Sequence, residues 1–212
     1  RFNRCKHKLV GHHPIRPTIK QKLQALVDVL QGDEIGDHYG KGTYLQDFEQ
    51  ELATRFNKPK AVFMPSGTMA QQIAMRIHCA HQKNFTVAMH PTTHLEGAEH
   101  GGYLFLHDIK RLQFGAPERV RHRLLTHKDF ENLHTRPGVI LIELPYRPLG
   151  CQLPKWEELE AISKWARNNG IPIHLDGARI WQCRPFYERK YAEIAELFDS
   201  VYVSFYKDLG GY

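Results

Sequence analysis

Apolar and polar residues follow two different patterns along this chain. Short, mostly apolar runs of four or five residues predict strands that are buried on both faces of a sheet. Between these runs lie segments with apolar residues every three or four positions, as in helices with one buried face. Strands that alternate with helices are typical of crossover connections in a mainly parallel sheet, so we expect an α/β fold. The predicted strands span residues 61–64, 85–88, 139–143, 171–175 and 200–204.

Three helices are predicted from the same spacing and from the residues that start and stop helices. They cover residues 45–57, 68–79 and 154–170, and the third begins with a proline and ends with a glycine, as helices commonly do. The sequence contains no internal repeat and no low-complexity segment. We therefore expect an N-terminal arm and helix over residues 1–34, followed by one large domain over residues 35–212.

Composition limits the class of protein. The chain has 212 residues, of which 42% are hydrophobic and 25% charged, which is the balance of an ordinary globular protein. This excludes a disordered tail, a fibre and a disulfide-stabilised miniprotein. The formal net charge is +6, but the basic residues, including those in residues 119–123, are not interleaved with aromatic residues. We expect no nucleic-acid partner.

The apolar runs and the cysteines allow predictions about membrane association and cellular compartment. No apolar run approaches the roughly 20 residues of a membrane helix, so no membrane association is expected. The four cysteines are far apart and no secretory segment opens the chain, which predicts reduced thiols and a cytoplasmic protein. Because the chain begins with Arg1 and ends directly after two glycines, we expect it to be an incomplete chain.

The 14 histidines make a metal site an alternative to consider. His90, His94 and His100 form one group, and His78 and His81 form another. Neither group combines with cysteines at a zinc spacing, so we predict no metal ligand.

Two loops at the carboxyl ends of predicted strands carry polar residues suited to ligands, and ligands of open α/β sheets bind at those ends. Ser66, Gly67 and Thr68 start a helix, where backbone N–H groups could hold a phosphate or Ser66 could simply cap the helix. Asp176 and Arg179 follow the fourth strand. They could fix a ring nitrogen and an anionic oxygen, or form an ion pair with each other.

A third loop follows the fifth strand and contains Lys207, with two glycines behind it. A partly desolvated lysine can form a Schiff base, although a solvated loop lysine is the commoner case. A phosphate cradle, an acid for a pyridine nitrogen and a nucleophilic lysine are together what pyridoxal phosphate requires.

Several motifs in order resemble the threonine aldolase and β-eliminating lyase family of fold-type I pyridoxal-phosphate enzymes. The resemblance implies a three-layer α/β/α sandwich with a mainly parallel sheet, whose small C-terminal domain is missing here, so that this stretch alone would be inactive. It also implies a homodimer or homotetramer. The matching motifs are residues 36–40, residues 65–70, Thr93 and His94 with Glu99, residues 142–143, residues 174–179 and residues 204–210.

Residue roles follow from the resemblance. Lys207 would hold the cofactor as a Schiff base, Asp176 would pair with the pyridine nitrogen, and Arg179 would approach the phenolic oxygen of the ring or the substrate carboxylate. His94 would stack on the ring and share in proton transfer. The phosphate would be held by Ser66, Gly67 and Thr68.

The implied reaction is retro-aldol cleavage of a β-hydroxy amino acid, L-threonine or L-allo-threonine, to glycine and acetaldehyde. Departures from the family pattern keep alternatives open: Asp208 stands where glycine usually follows the lysine, and Gly11, His12 and His13 stand near the usual Ser-Asp-Thr. One alternative is a non-catalytic protein that keeps the fold for a binding or structural role. The other is a different reaction on the same cofactor, such as β-elimination.

Overall fold

The computed structural model describes residues 17–114 and 117–211. Residues 1–16 of the predicted N-terminal arm and helix, with Gly11, His12 and His13, lie outside these residues. The described residues form two compact units. One contains residues 17–54, 58–63 and 205–211, and the other contains residues 55–57 and 64–204 apart from residues 115 and 116. The sheet belongs to the second unit.

Among the described residues, the sheet has five strands in the order β2-β1-β3-β4-β5, and every neighbouring pair is parallel. The predicted parallel sheet is therefore confirmed, with four of its strands placed within two residues of their observed bounds. The fifth, β2, was not predicted because its three residues include two basic side chains. The strands are β1 (Thr86–Met89), β2 (Lys110–Leu112), β3 (Val139–Glu143), β4 (Ile173–Gly177) and β5 (Ser200–Val203).

The strand predicted over residues 61–64 is wrong. These residues form no strand, and Val62 and Phe63 are 67% and 52% exposed. The backbone N–H of Phe63 donates to Glu49 Oε1 at 2.7 Å. This N–H group is thus bonded to a side-chain carboxylate, whereas in a sheet it would bond to a neighbouring strand. Apolar composition alone does not predict such a partner.

The three predicted helices are confirmed, with ends shifted by a few residues. They are α2 (Thr43–Arg55), α3 (Gly67–Gln82) and α8 (Trp156–Asn168). Pro154 lies just before α8 instead of inside it, and Gly170 follows it with a φ of +62°. The other helices are α1 (Ile19–Val29), α4 (His94–Gly97), α5 (Gly102–His107), α6 (Pro117–Val120), α7 (His127–Glu131), α9 (Arg184–Tyr187) and α10 (Tyr191–Glu196).

The sheet is covered on both faces, as the predicted three-layer α/β/α arrangement requires. Helix α3 crosses strands β1, β3, β4 and β5. Val139 and Leu141 of β3 share one apolar cluster with residues of α3 and α5, while Ile140 and Ile142 point to the other face and are also buried. Burying each such side chain stabilises the fold by about 1.5–3 kcal/mol. Within the described part of the chain, no helix combines the length and apolar character needed to cross a membrane.

Because the strands are parallel, their carboxyl ends lie along one edge of the sheet. Glu143 at the end of β3 pairs in register with Asp176 of β4, and Asp176 pairs with Tyr202 of β5. Two acidic residues and a tyrosine therefore lie side by side at this edge, in the second unit.

Candidate functional site

The start of helix α3 lies at one end of this row. Ser66 caps the helix, and its Oγ accepts a hydrogen bond from the backbone N–H of Met69 at 3.2 Å. Ser66 and Thr68 are exposed and Gly67 is half-buried. The first turn of a helix presents N–H groups without partners inside the helix, together with the positive end of its dipole, which suits an anion.

Gly67 is in close contact with Tyr202 of β5. A Cβ added to Gly67 would lie 2.0 Å from the Tyr202 hydroxyl oxygen and 2.4 Å from its Cζ. No residue with a side chain fits there without moving the tyrosine ring. The glycine therefore allows α3 to begin directly against Tyr202 of β5, which is the register partner of Asp176 on the neighbouring strand.

Asp176 is almost completely buried at the end of β4. Its Oδ1 accepts the backbone N–H of Ala178 at 3.1 Å, and its backbone oxygen accepts the N–H of Leu144 at 3.0 Å. The first bond orients the carboxylate, and the second joins the Asp176 backbone to the residue that follows β3. Arg179, three residues further on, is half-buried and precedes the short 3₁₀ turn Ile180–Gln182.

Glu143 is the second buried carboxylate at this edge. Burial raises its pKa above the ordinary value, and the negative charge of Asp176 raises that pKa further. Its Oε2 accepts the backbone N–H of His94 at 3.0 Å, and Oε1 accepts that of Arg147 at 3.5 Å. Glu143 is not among the predicted site residues, because an acidic residue that ends an apolar strand does not show where its carboxylate points.

His94 begins the short helix α4, with its backbone held by Glu143 and its ring held by Glu99. The ring Nδ1 and Glu99 Oε1 are 3.0 Å apart. The His94 side chain is 39% exposed, whereas that of Glu99 is 1% exposed. The ring can thus meet a ligand while one of its nitrogens remains bound to a buried carboxylate.

The second unit therefore brings three of the seven predicted site residues, Gly67, Asp176 and His94, into a connected row. Gly67 contacts Tyr202, Tyr202 pairs with Asp176, Asp176 pairs with Glu143, and Glu143 binds His94. Arg179 lies in the loop after Asp176. Among the residues that the structure describes, no three His, Cys, Asp or Glu side chains are grouped so that they could hold a metal ion.

Lys207 belongs to the first unit. It lies in a turn three residues after Ser204, and only 7% of its surface is exposed. Its Nζ is 5.5 Å from the centre of the Tyr206 ring. The turn folds back on itself, because the Gly211 N–H donates to the Phe205 backbone oxygen at 2.9 Å. A buried amine in a compact turn differs from the solvated loop lysine that was the alternative.

Known proteins match this chain in sequence and fold. A candidate L-allo-threonine aldolase from Listeria monocytogenes EGD-E is 43% identical with a TM-score of 0.91, covering 99% of this chain and 56% of that chain. A candidate aromatic amino acid beta-eliminating lyase/threonine aldolase from Exiguobacterium sp. 255-15 is 41% identical with a TM-score of 0.90, covering 99% and 57%. A low specificity L-threonine aldolase from Saccharomyces cerevisiae is 27% identical over 208 residues, covering 90% and 49%.

The chain thus spans about half the length of the relatives it matches. The family model for beta-eliminating lyases matches residues 17–211, which is nearly the whole chain. These structural neighbours have the fold-type I architecture that the motifs predict for this chain. The chain therefore belongs to the beta-eliminating lyase family, and this membership implies pyridoxal 5′-phosphate as its cofactor.

Proposed function

We propose that the protein is a carbon–carbon lyase that cleaves a β-hydroxy amino acid, L-threonine or L-allo-threonine, into glycine and acetaldehyde. The observation that carries the proposal is the buried Asp176 carboxylate at the carboxyl end of β4, in register with Glu143 and one strand from the start of α3. The names of the similar proteins from Listeria and yeast support the choice of substrate.

The residues at this edge fit the cofactor. A buried carboxylate at a strand end suits a protonated ring nitrogen, and the exposed first turn of α3 presents N–H groups that suit a phosphate. Bound pyridoxal phosphate supplies an electron sink that makes the bonds to the α-carbon of an attached amino acid easier to break. Asp176 favours the protonated ring nitrogen through its negative charge. Ser66, Gly67 and Thr68 would hold the phosphate through hydroxyl and backbone N–H groups.

Lys207, His94 and Arg179 complete the proposed roles. Lys207 provides the amine that bonds covalently to the cofactor, and Arg179 binds an anionic oxygen of the ring or of the substrate. His94, or a water held by it, accepts the hydroxyl proton of the substrate as the Cα–Cβ bond breaks. The Cβ fragment leaves as acetaldehyde, and the α-carbon takes up a proton to become glycine. Atoms and charges balance without a further reactant.

Product analysis tests the substrate and the reaction. Purified protein supplied with pyridoxal phosphate is incubated with L-threonine, L-allo-threonine and L-serine in separate samples. We expect glycine and acetaldehyde in equal amounts from the first two. Pyruvate and ammonia from serine, without acetaldehyde from either threonine, would assign β-elimination instead. Cofactor binding with no product from any of the three would favour a non-catalytic role.

We also propose that the protein works in the cytoplasm as a homodimer or homotetramer. The three described cysteines, Cys79, Cys151 and Cys183, are free thiols, which suits a reducing compartment. The oligomer is what the family resemblance implies. Light scattering after size-exclusion chromatography measures the mass, and a monomer at micromolar concentration would contradict the proposed assembly.

A further inference from the structure

Glu99 is a buried carboxylate surrounded by three polar side chains. Its side chain is 1% exposed. Oε1 lies 3.0 Å from the Nδ1 atom of His94 and accepts from the Gln71 amide at 3.4 Å, while Oε2 accepts from the Gln72 amide at 3.2 Å. A buried carboxylate is costly unless hydrogen-bond donors surround it, and the side chains around Glu99 are such donors.

The two glutamines are themselves held in place. Gln71 and Gln72 are buried residues of α3, a helix of 16 residues that crosses the sheet. A Cβ added to Gly102, at the start of α5, would lie 2.6 Å from the Gln72 Nε2 atom. The backbone of α5 therefore packs directly on the Gln72 amide. Glu99 is thus fixed by a packed framework and does not depend on a flexible surface contact.

An ionised carboxylate accepts hydrogen bonds and cannot donate them. With both Glu99 oxygens accepting amide N–H groups, the bond to His94 requires a proton on the ring Nδ1. In the neutral ring the proton is then absent from Nε2, so a proton exchanged with a ligand passes through Nε2. The backbone of His94 is held separately by Glu143, at 3.0 Å.

We propose that Glu99 is a positioning residue that fixes the orientation and tautomer of His94, with the ring proton on Nδ1 and Nε2 as the atom that acts on the substrate. The proposal deepens the proposed function and rests on it for the role of His94. Gln71 and Gln72 serve by holding Glu99, and none of the three needs to touch the substrate.

The direct measurement is the tautomer of His94 by NMR. The purified protein is labelled at histidine with ¹³C and ¹⁵N, and the His94 signals are assigned with His94→Asn. At a pH where the ring is neutral, we expect the Nδ1–H tautomer in the wild type and loss of that single tautomer in Glu99→Gln. An Nε2–H tautomer in the wild type, or an unchanged tautomer in Glu99→Gln, would overturn the proposal. The wild-type spectrum decides the matter even if Glu99→Gln does not fold.

Kinetics and a matched control separate positioning from general stability. Glu99→Gln should lower kcat for threonine by about 10–100-fold, the usual effect of losing such an outer partner, with a smaller change in KM. Glu131→Gln removes a carboxylate from an exposed pair with His127 and should leave the His94 signals unchanged. The tautomer is measured without substrate. Absence of threonine cleavage in the wild type would therefore refute the proposed function alone, while a wrong tautomer would refute this inference alone.

Discussion

At the scale of single residues, two carboxylates lie side by side at the carboxyl ends of neighbouring strands. Asp176 and Glu143 are both buried and pair in register. Two like charges this close disfavour double ionisation, which is one cause of the raised pKa of Glu143. Asp176 can then carry the negative charge of the pair beside a cationic ring nitrogen.

Removing the charge of Asp176 should abolish most of the activity. Asp176→Asn keeps an oxygen for the Ala178 N–H bond but cannot favour a protonated ring nitrogen. We expect kcat for threonine to fall by about 10²-fold or more, as for other preorganised electrostatic partners, while covalent cofactor is retained. Asp176→Ala should do the same. Turnover equal to that of the wild type in either variant would refute this role.

Glu143→Gln should change how stability depends on pH. The native pKa of Glu143 is raised, so the folded state binds this proton more tightly than the unfolded state. The contribution of Glu143 to the free energy of unfolding is therefore largest below the pKa that this group has in the unfolded state. It is lost as the pH rises through the native pKa, by about 1.4 kcal/mol per unit of pKa difference. The neutral glutamine removes this loss.

The measurement is the free energy of unfolding in urea at about pH 5 and about pH 8, compared between variants. Relative to the wild type, Glu143→Gln should gain stability at the higher pH. Glu131→Gln, at an exposed carboxylate, serves as the control and should follow the wild type. A wild-type protein that loses no more stability than Glu143→Gln between the two pH values would contradict the expectation.

At the scale of elements, the approach of α3 to β5 positions one end of the site. Gly67→Ala would place a methyl group against the Tyr202 ring and should destabilise the protein by about 1–3 kcal/mol, the usual cost of overpacking. Gly97→Ala is the matched control, because nothing lies within 4 Å of its added Cβ. Urea unfolding measures both. If the two variants were equally stable, the close contact would not constrain the helix.

The elements show what hydrophobic patterning can and cannot predict. Strands β1, β3, β4 and β5 were predicted because each lies in or beside a short, mostly apolar run. Residues 61–64 have the same composition but no neighbouring strand in the described part of the chain, and Val62 and Phe63 are exposed. Strand pairing is a property of distant residues, so a local pattern cannot decide it.

The site residues divide in a similar way. Some were predicted because they are polar or glycine residues in loops at predicted strand ends, where ligands of α/β sheets bind. These are Ser66, Gly67, Asp176 and Lys207. Gln71 and Gln72 were missed, because polar residues in an amphipathic helix look like its solvent face. Only the packing of α3 shows that they are buried and directed at Glu99. Residues that act through other residues leave little signal in the sequence.

At the scale of the whole molecule, the parallel sheet and its carboxyl edge are the features this chain shares with its family. The chain spans about half the length of its relatives. The row from Gly67 to His94 is nevertheless complete within the second unit. Lys207 is the one proposed group that belongs to the other unit, and its role is the central claim to test.

Covalent trapping of the cofactor tests this claim most directly. The protein is mixed with pyridoxal phosphate, its visible absorption is recorded, and borohydride reduction is followed by peptide mass mapping. We predict a yellow protein with the reduced cofactor attached to Lys207, and neither colour nor adduct at this position in Lys207→Ala. A stable adduct on a different lysine, or no adduct at all, would contradict the account.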